Sequence, residues 1–535
     1  MGKWDGGFHL FNVKDISITG PLGLEIVRAY HSNSQSKGMA GHKWMLYYEM
    51  RVVRHDDNRL EVYDSGNETP VRFKTEIDKG EIHDSLQLIA QRAIERKLVA
   101  QKDPAALVKA FKRNNALLLS TVKSLNDVKA LPERALPLNR FVSYDYGFEE
   151  LFQTTSGYER RLLSGEVNIF DKKGRLEAIE RLNSSYHIKL TYDQSGHLIH
   201  ILDNAKNTID ISYNSRGLIQ AAIGRHPSGM TNESHYEYDA QDRLIRTTSG
   251  SECGQEYVYQ TGSAFLIKTT DATGKTHNIT YDGSISQREV LSYTKLSGYT
   301  AIYNFARSKG SAGSRVIVKE SGSENIKTDY HFVSDPQGLE KLMRVIKTQK
   351  GKSTTKEMYR GSYKLVTRET SAYGDTTYEY DDRGRVLRTV SPTNSIRYEY
   401  LGNTNKRTLI ETTTKSGEVE WKKFVLINEG FLTHYSDSAG HTIAIDLDAS
   451  YNLRHIVDTK PKYDKTTEVT DLRIEYSKFE KPTLITLEGL GSISVDYNEQ
   501  GEINTYAGSG LFVEQTFASV LQFLLNVSEL YEGRK

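Results

Sequence analysis

The residue types able to do chemistry are sparse in this sequence and poorly spaced for it. His197 and His200 stand three apart with no cysteine nearby, too few ligands for a metal centre, and read as surface histidines. Glu149–Glu150 and Asp381–Asp382 are adjacent carboxylates. Neighbours on a strand point to opposite faces, so neither pair can share a proton as acid and base. Cys253 is the only cysteine and has no histidine or basic cluster beside it, so it reads as an inert thiol. One cysteine also excludes a disulfide framework and a multi-thiolate metal site. No glycine-rich phosphate loop, Gly-x-Ser-x-Gly elbow or His-Glu-x-x-His motif occurs. The sequence supplies no catalytic residues, no cofactor site and no metal site, and reads as that of a non-enzyme.

The composition says what must position these residues. A chain of 535 residues is too long for one small core. Its 70 Lys+Arg against 69 Asp+Glu exclude nucleic acid as a partner, since a binder of that kind carries a basic excess. The 33 tyrosines against 3 tryptophans and 10 prolines suit half-buried pleated surfaces, where the ring packs and the hydroxyl stays wet. An all-β fold is expected. There is no apolar run of signal-peptide or membrane-spanning length. Export by a route that reads no N-terminal signal, or attachment at the cell surface, is expected over cytoplasmic residence.

Four segments follow from the periodicity. Residues 1–78 alternate apolar and polar with turn punctuation, as a β module. Residues 79–140 switch to helical spacing: Ile82, Leu86, Ile89 and Ala93 form one stripe, and Leu107, Phe111, Leu118, Val122 and Leu125 a second. Asp103-Pro104 starts the second helix, and Pro132 and Pro137 close the segment, predicting an inserted helical hairpin. Between Arg92 and Arg113 it carries seven basic residues (Arg92, Arg96, Lys97, Lys102, Lys109, Lys112, Arg113), a solvated face or a dock for an acidic partner or membrane surface. Residues 141–510 repeat. Residues 511–535 form an amphipathic helix with Val513, Phe517, Leu521 and Leu524 on its apolar stripe.

The repeat reads aromatic, Asp/Asn, two polar residues, Gly, any residue, aliphatic. Its copies include Phe170-Asp171 to Leu176, Tyr192-Asp193 with Gly196, and Tyr213-Asn214 with Gly217. Tyr238-Asp239, Tyr380-Asp381 with Gly384, and Tyr497-Asn498 with Gly501 continue the series. The copy from Leu447-Asp448 to Leu453 is degenerate, with Tyr451 in the glycine place. The carboxylate or amide caps a tight turn and the glycine takes its positive φ. Each copy is thus a hairpin of about twenty residues, too small to bury a core without stacked neighbours.

These residues resemble the YD repeat of the Rhs family, shared with shell subunits of insecticidal toxin complexes and with teneurins. Asp15-Ile16-Ser17-Ile18-Thr19-Gly20-Pro21-Leu22-Gly23-Leu24-Glu25-Ile26-Val27-Arg28-Ala29-Tyr30-His31-Ser32 and the stretch from Gly38 to Trp44 are similar to the module that often precedes such repeats. The resemblance covers about four-fifths of the chain. It implies hairpins stacked into a spiralling sheet, a hollow shell enclosing a polypeptide. The family's toxin-type members are longer, carry a spike-binding domain ahead of the repeats, and end their core in an Asp-Pro-x-Gly-Leu cleavage motif. Asp335-Pro336-Gln337-Gly338-Leu339 fits that pattern, but repeats resume after it, so it reads as an ordinary turn.

The expected function is therefore a non-catalytic shell or scaffold without a toxin domain, enclosing or presenting a polypeptide in bacterial secretion or cell–cell interaction. The 511–535 helix is the first candidate for a plug or cap; a homo-oligomer contact is the second. The alternative is a surface recognition module whose aromatic β faces bind glycan or protein.

Overall fold

The computed structural model describes Lys3 to Ser509 apart from short stretches, among them 57–58, 76–82, 131–139, 282–289, 335–339 and 498–502. The fold is all-β, and its short alternating strands explain why. Inward positions carry Leu, Ile and Tyr, and outward ones Lys, Glu, Thr and Ser, so each strand has one face to bury.

A four-stranded antiparallel sheet opens the chain, in the order Lys3–Asp5, Phe8–Ile18, Leu24–His31, Trp44–Leu46. Its central pair slips register between Lys14 and Ile16, leaving Asp15 as the extra residue of a β-bulge. Apart from the two-stranded ribbon Lys37–Gly38 and Gly41–His42, the remaining strands form one long ladder with the strand order of a closed barrel, each strand hydrogen-bonded to its sequence neighbour. That ladder starts at Arg51–Asp56, continues through Arg59–Tyr63 and Val71–Thr75, and resumes at Arg140–Ser143. The expected boundary at residue 78 thus falls inside the wall: three of its strands precede the insertion. Thr75 pairs with Phe141, so the helical segment is a long excursion between two adjacent strands.

The excursion is helical over α1 (His83–Glu95), α2 (Pro104–Arg113) and α3 (Asn115–Asp127), the last two separated only by residue 114, outside the described residues. The second apolar stripe lies along α2 and α3. Leu86, Ile89, Ala93, Leu107, Phe111, Leu118, Val122 and Leu125 close a core of their own, separate from that of the sheet.

The wall returns over itself. Arg383 Nη1 donates to Glu150 Oε2 at 2.9 Å and its guanidinium lies 5.2 Å from the Phe148 ring. Asn405 N donates to Leu163 O at 2.7 Å, and Arg181 faces the Phe431 ring at 5.6 Å. In each case a turn of the aromatic-Asp side of the later hairpins rests on an opposite-side turn some 230–250 residues earlier. The sheet is therefore a spiral, with a second tier stacked on the first.

Two glycines with the same backbone demand separate local from tertiary strain. Gly174 (φ +81°) would place a Cβ 2.0 Å from Val52 O, where the first wall strand crosses the turn and Val52 N donates to Gly174 O at 2.8 Å. Gly196 (φ +88°) has only Arg175 Nη1 at 3.7 Å. Gly196→Ala should cost about 1–2 kcal/mol from the left-handed backbone alone. Gly174→Ala should add a clash of about 1–3 kcal/mol. The check is the urea midpoint of the two variants; equal midpoints would contradict the crossing.

Candidate functional site

The candidate site is the inner face of the wall and the module that seals its first tier. Asp15, re-aimed inward by its bulge, meets Arg28 on the paired strand. Arg28 Nη2 donates to Asp15 Oδ1 at 2.7 Å, and Arg28 Nε also bonds Asp15. Both side chains are shut off from water. The pair is completed from the wall: Tyr236 OH donates to Asp15 Oδ2 at 2.9 Å and Arg28 Nη2 donates to Tyr257 OH at 3.1 Å. The guanidinium also lies over the rings of Trp44, Tyr236 and Tyr257 at 4.8, 5.6 and 5.5 Å. Burial alone would lower the Arg28 pKa; the Asp15 carboxylate more than reverses that, so the cation is fixed.

Further contacts run along the same rim. Trp44 Nε1 donates to Tyr259 OH at 2.9 Å, and Tyr259 OH donates on to Leu244 O at 2.7 Å. Tyr30 OH bonds Ala264 O and accepts from Leu266 N, both at 2.9 Å. Ile219 N donates to Met39 O at 2.9 Å. In the Tyr238 copy the glycine place holds Asp242, at φ +60°. This departure from the repeat is a docking point: Asp242 accepts from Lys37 and Arg216, each at 2.6 Å, and its carbonyl from His42 N at 3.2 Å.

Each repeat turn has a fixed wiring. Asp171 Oδ1 accepts from the amides of Lys173 and Arg175, and Asp239 and Asp381 repeat the pattern with Gln241/Arg243 and Arg383/Arg385. Asp193 caps the His197 amide in the same way, and Gly196, Gly217 and Gly384 supply positive φ. In the degenerate copy Tyr451 itself takes φ +62°, stacked on Phe431 at 4.8 Å.

Several repeat tyrosines correct an expectation drawn from composition. Their hydroxyls do not stay wet, as those of exposed Tyr373, Tyr463 and Tyr506 do, but reach back one hairpin: Tyr192 to Leu176 O (2.7 Å), Tyr213 to Leu198 O (2.8 Å), Tyr281 to Leu266 O (2.9 Å). Tyr380, Tyr400, Tyr476 and Tyr497 do the same to Val366, Val386, Leu453 and Pro482. Burial raises these hydroxyls' pKa values, Tyr380 to about 12. Ring faces are taken as well: Arg175, Arg243 and Arg385, held by Asp171, Asp239 and Asp381, lie 4.9, 5.3 and 4.8 Å from the rings of Tyr192, Tyr259 and Tyr400. No local pattern announces these links, because donor and acceptor belong to different copies.

The other sequence-singled residues are placed as follows. His197 stacks on Tyr213 at 4.6 Å and bonds Asp193, while His200 bonds Asp210 at 2.7 Å; the two share no ligand, and no metal-holding cluster occurs among the described residues. Glu149 serves Arg160, and Glu150 serves Arg140 and Arg383. Asp381 caps its turn and Cys253 lies on the strand Glu252–Tyr259. The plug residues Val513, Phe517, Leu521 and Leu524, the motif Asp335, Gly338 and Leu339, and Gly501 lie outside the described residues.

The second tier holds a cavity of about 550 Å³ lined by Ile396, Tyr398, Arg407, Ile410, Glu420 and Lys422 among others. Cross-strand register puts Tyr398, Ile410 and Lys422 on one face, the same face as buried Phe424 and Tyr435. Arg407 lies over one face of the Tyr398 ring at 4.7 Å.

Two measurements test this wiring. Tyr259→Phe removes a partner from both Trp44 Nε1 and Leu244 O, whereas Tyr380→Phe removes one from Val366 O alone. The first should cost about 2–4 kcal/mol and the second about 1–2, read from urea midpoints. Glu49 gives a pH signature. Burial raises its carboxyl to about 7, although the amides of Leu46 (2.6 Å) and Met39 (2.8 Å) pull the other way. The folded state then binds the proton more tightly than the unfolded chain. Stability through this group falls as pH rises from the usual carboxylate value to about 7, and is level on either side. Relative to Glu49→Gln, the wild-type unfolding midpoint should drop across that window; parallel curves would refute the assignment.

Residues 6–71 match a domain of unknown function, DUF6531. No curated protein matches the sequence. Among solved structures, the chain is similar at 12% identity to a TcdB2–TccC3–Cdc42 crystal structure, with 71% of this chain and 28% of that one covered at a TM-score of 0.32. It is similar at 12% identity to TcdB2–TccC3–TEV, with 93% and 34% covered at a TM-score of 0.31. A Photorhabdus luminescens Tc holotoxin pore gives 12% identity, 72% and 30% coverage, and a TM-score of 0.19. The chain spans about a third of the length of these structures. Its leading module is thus similar to a recognised domain.

Proposed function

We propose that this chain is a non-catalytic wall of the Rhs type that encloses or presents a polypeptide, in bacterial export or cell–cell contact. One observation carries the reading. The aliphatic residue that follows each repeat glycine is fully buried in the first tier: Leu176, Leu198, Ile219, Leu244 and Leu266 have 0% exposure. There the N-terminal module fills the inner face. At the same motif position in the second tier, Val386 and Leu453 are part-exposed and Ile503 is 64% exposed. The same element is thus fully buried where the module lies inside it and less so in the second tier, whose own core of Phe424, Tyr435, Ile443, Ile456 and Leu472 covers Leu453 only in part. The module models the kind of occupant the second tier would take, an apolar β face with aromatic anchors. The 511–535 segment is the first candidate, and a separate chain the second.

Light scattering and small-angle X-ray scattering of the full chain and of a chain ending at Gly510 test this. A monomer with a hollow-particle profile that opens or swells on truncation is the expected result. A solid or extended profile indifferent to truncation would sink enclosure. A dimer that truncation converts to monomer would make the last segment an assembly contact instead.

A further inference from the structure

The helical excursion has no evident part in the wall. It closes its own core and enters and leaves between the paired strands Val71–Thr75 and Arg140–Ser143. Yet its α1–α2 end has a definite chemistry. From 95 to 105 every residue is exposed except part-buried Val99, so this turn protrudes. Lys97 takes φ +56° at its apex, and Leu98 beside it is 40% exposed. The two carboxylates of the turn are already engaged. Glu95 accepts from Arg92 at 2.9 Å, and Asp103 caps the start of α2 by accepting from Ala105 N at 3.0 Å. Arg96, Lys97, Lys102 and Lys109 make no ion pair or side-chain hydrogen bond among the described residues.

We propose that this turn docks on an anionic phospholipid surface, with Arg96, Lys97 and Lys102 against the headgroups and Leu98 entering the acyl boundary. Unpaired cations around a protruding leucine form a convex tip, which presents charge to a plane. An acidic peptide would need a groove to fix its backbone, and neither the cavity at Tyr398 nor the one between module and wall, lined by Glu25, Tyr47, Glu166 and Ile188, includes a residue of this turn. A near-neutral chain, at net +1, also leaves this tip as a local excess with no global field to compete with it. The attraction of a few basic residues and one leucine is weak and reversible, suited to gathering the wall at a membrane without inserting it.

Sedimentation of the full chain with phosphatidylcholine vesicles, with and without phosphatidylserine, at low and high salt, decides the matter. Binding should require phosphatidylserine and vanish at high salt. Each of Arg96→Gln, Lys97→Gln and Lys102→Gln should weaken partitioning about fivefold, and the triple variant about a hundredfold. Leu98→Ser should weaken it severalfold at unchanged salt dependence. All four positions are exposed, so unfolding midpoints should match the wild type and separate lost docking from lost folding. Absence of phosphatidylserine-dependent binding, or equal binding by the triple variant, overturns the proposal. So does binding of soluble polyglutamate through these residues without vesicle binding, which would assign the tip to an acidic polypeptide.

Discussion

Everything else in the molecule leans on a dry ion pair. Asp15 and Arg28 sit on neighbouring strands of the N-terminal sheet, and Tyr236 and Tyr257 of the wall add hydrogen bonds to them, although Arg28 Nη1 is buried without a hydrogen-bond partner. A buried carboxylate and guanidinium are costly to desolvate, and each hydrogen bond that the wall adds offsets part of that cost. The module therefore has one docked position, some 220 residues from its own sequence. Once docked, it covers the inner face along which the first-tier aliphatics lie, so the ion pair specifies register while the apolar area supplies the stabilisation.

The wall solves a different problem. A single hairpin has a pleated face and no second layer, and it cannot bury that face by itself. The repeat answers with links between copies. An aspartate ties its own turn, an arginine held by it covers the next tyrosine, and that tyrosine's hydroxyl closes on the strand behind. The chain also inserts a register slip beside most of these tyrosines, as at Thr191/Tyr192 and Glu379/Tyr380, which bends each hairpin in the same sense. The slips leave Ile199 and Leu387 facing out, which explains two of the exposed apolar residues. Repeated bending curls the sheet, and the curl brings Arg383 back over Glu150.

Short-range features were legible in the sequence because their physics is local. The Asx-capped turns at Asp171 and Asp381, the positive-φ glycines and the strand alternation all follow from residues within five positions of one another. Features made by return contacts were not. The wall's first strands at 51–75 read as part of the leading module, since alternation does not say which sheet a strand joins. Asp15 read as part of a motif, although its meaning lies in Tyr236. The one available signal was the loss of glycine at Asp242: a repeat that gives up its easiest residue does so where another element needs the side chain.

The same wiring bears on what the wall can recognise. Tyrosine-rich β surfaces are adhesive when rings and hydroxyls are free, but here a guanidinium covers the ring and a carbonyl takes the hydroxyl. The turn carboxylates are likewise engaged with their own amides. Consequently the motif residues have little left to offer a ligand, and the more regular a repeat is, the less it can bind. Binding capacity must then sit where the pattern breaks or is left uncovered: at Asp242, at the wet aliphatics such as Ile503, and on the excursion between Thr75 and Phe141. A wall of this kind gains partners by departing from its repeat.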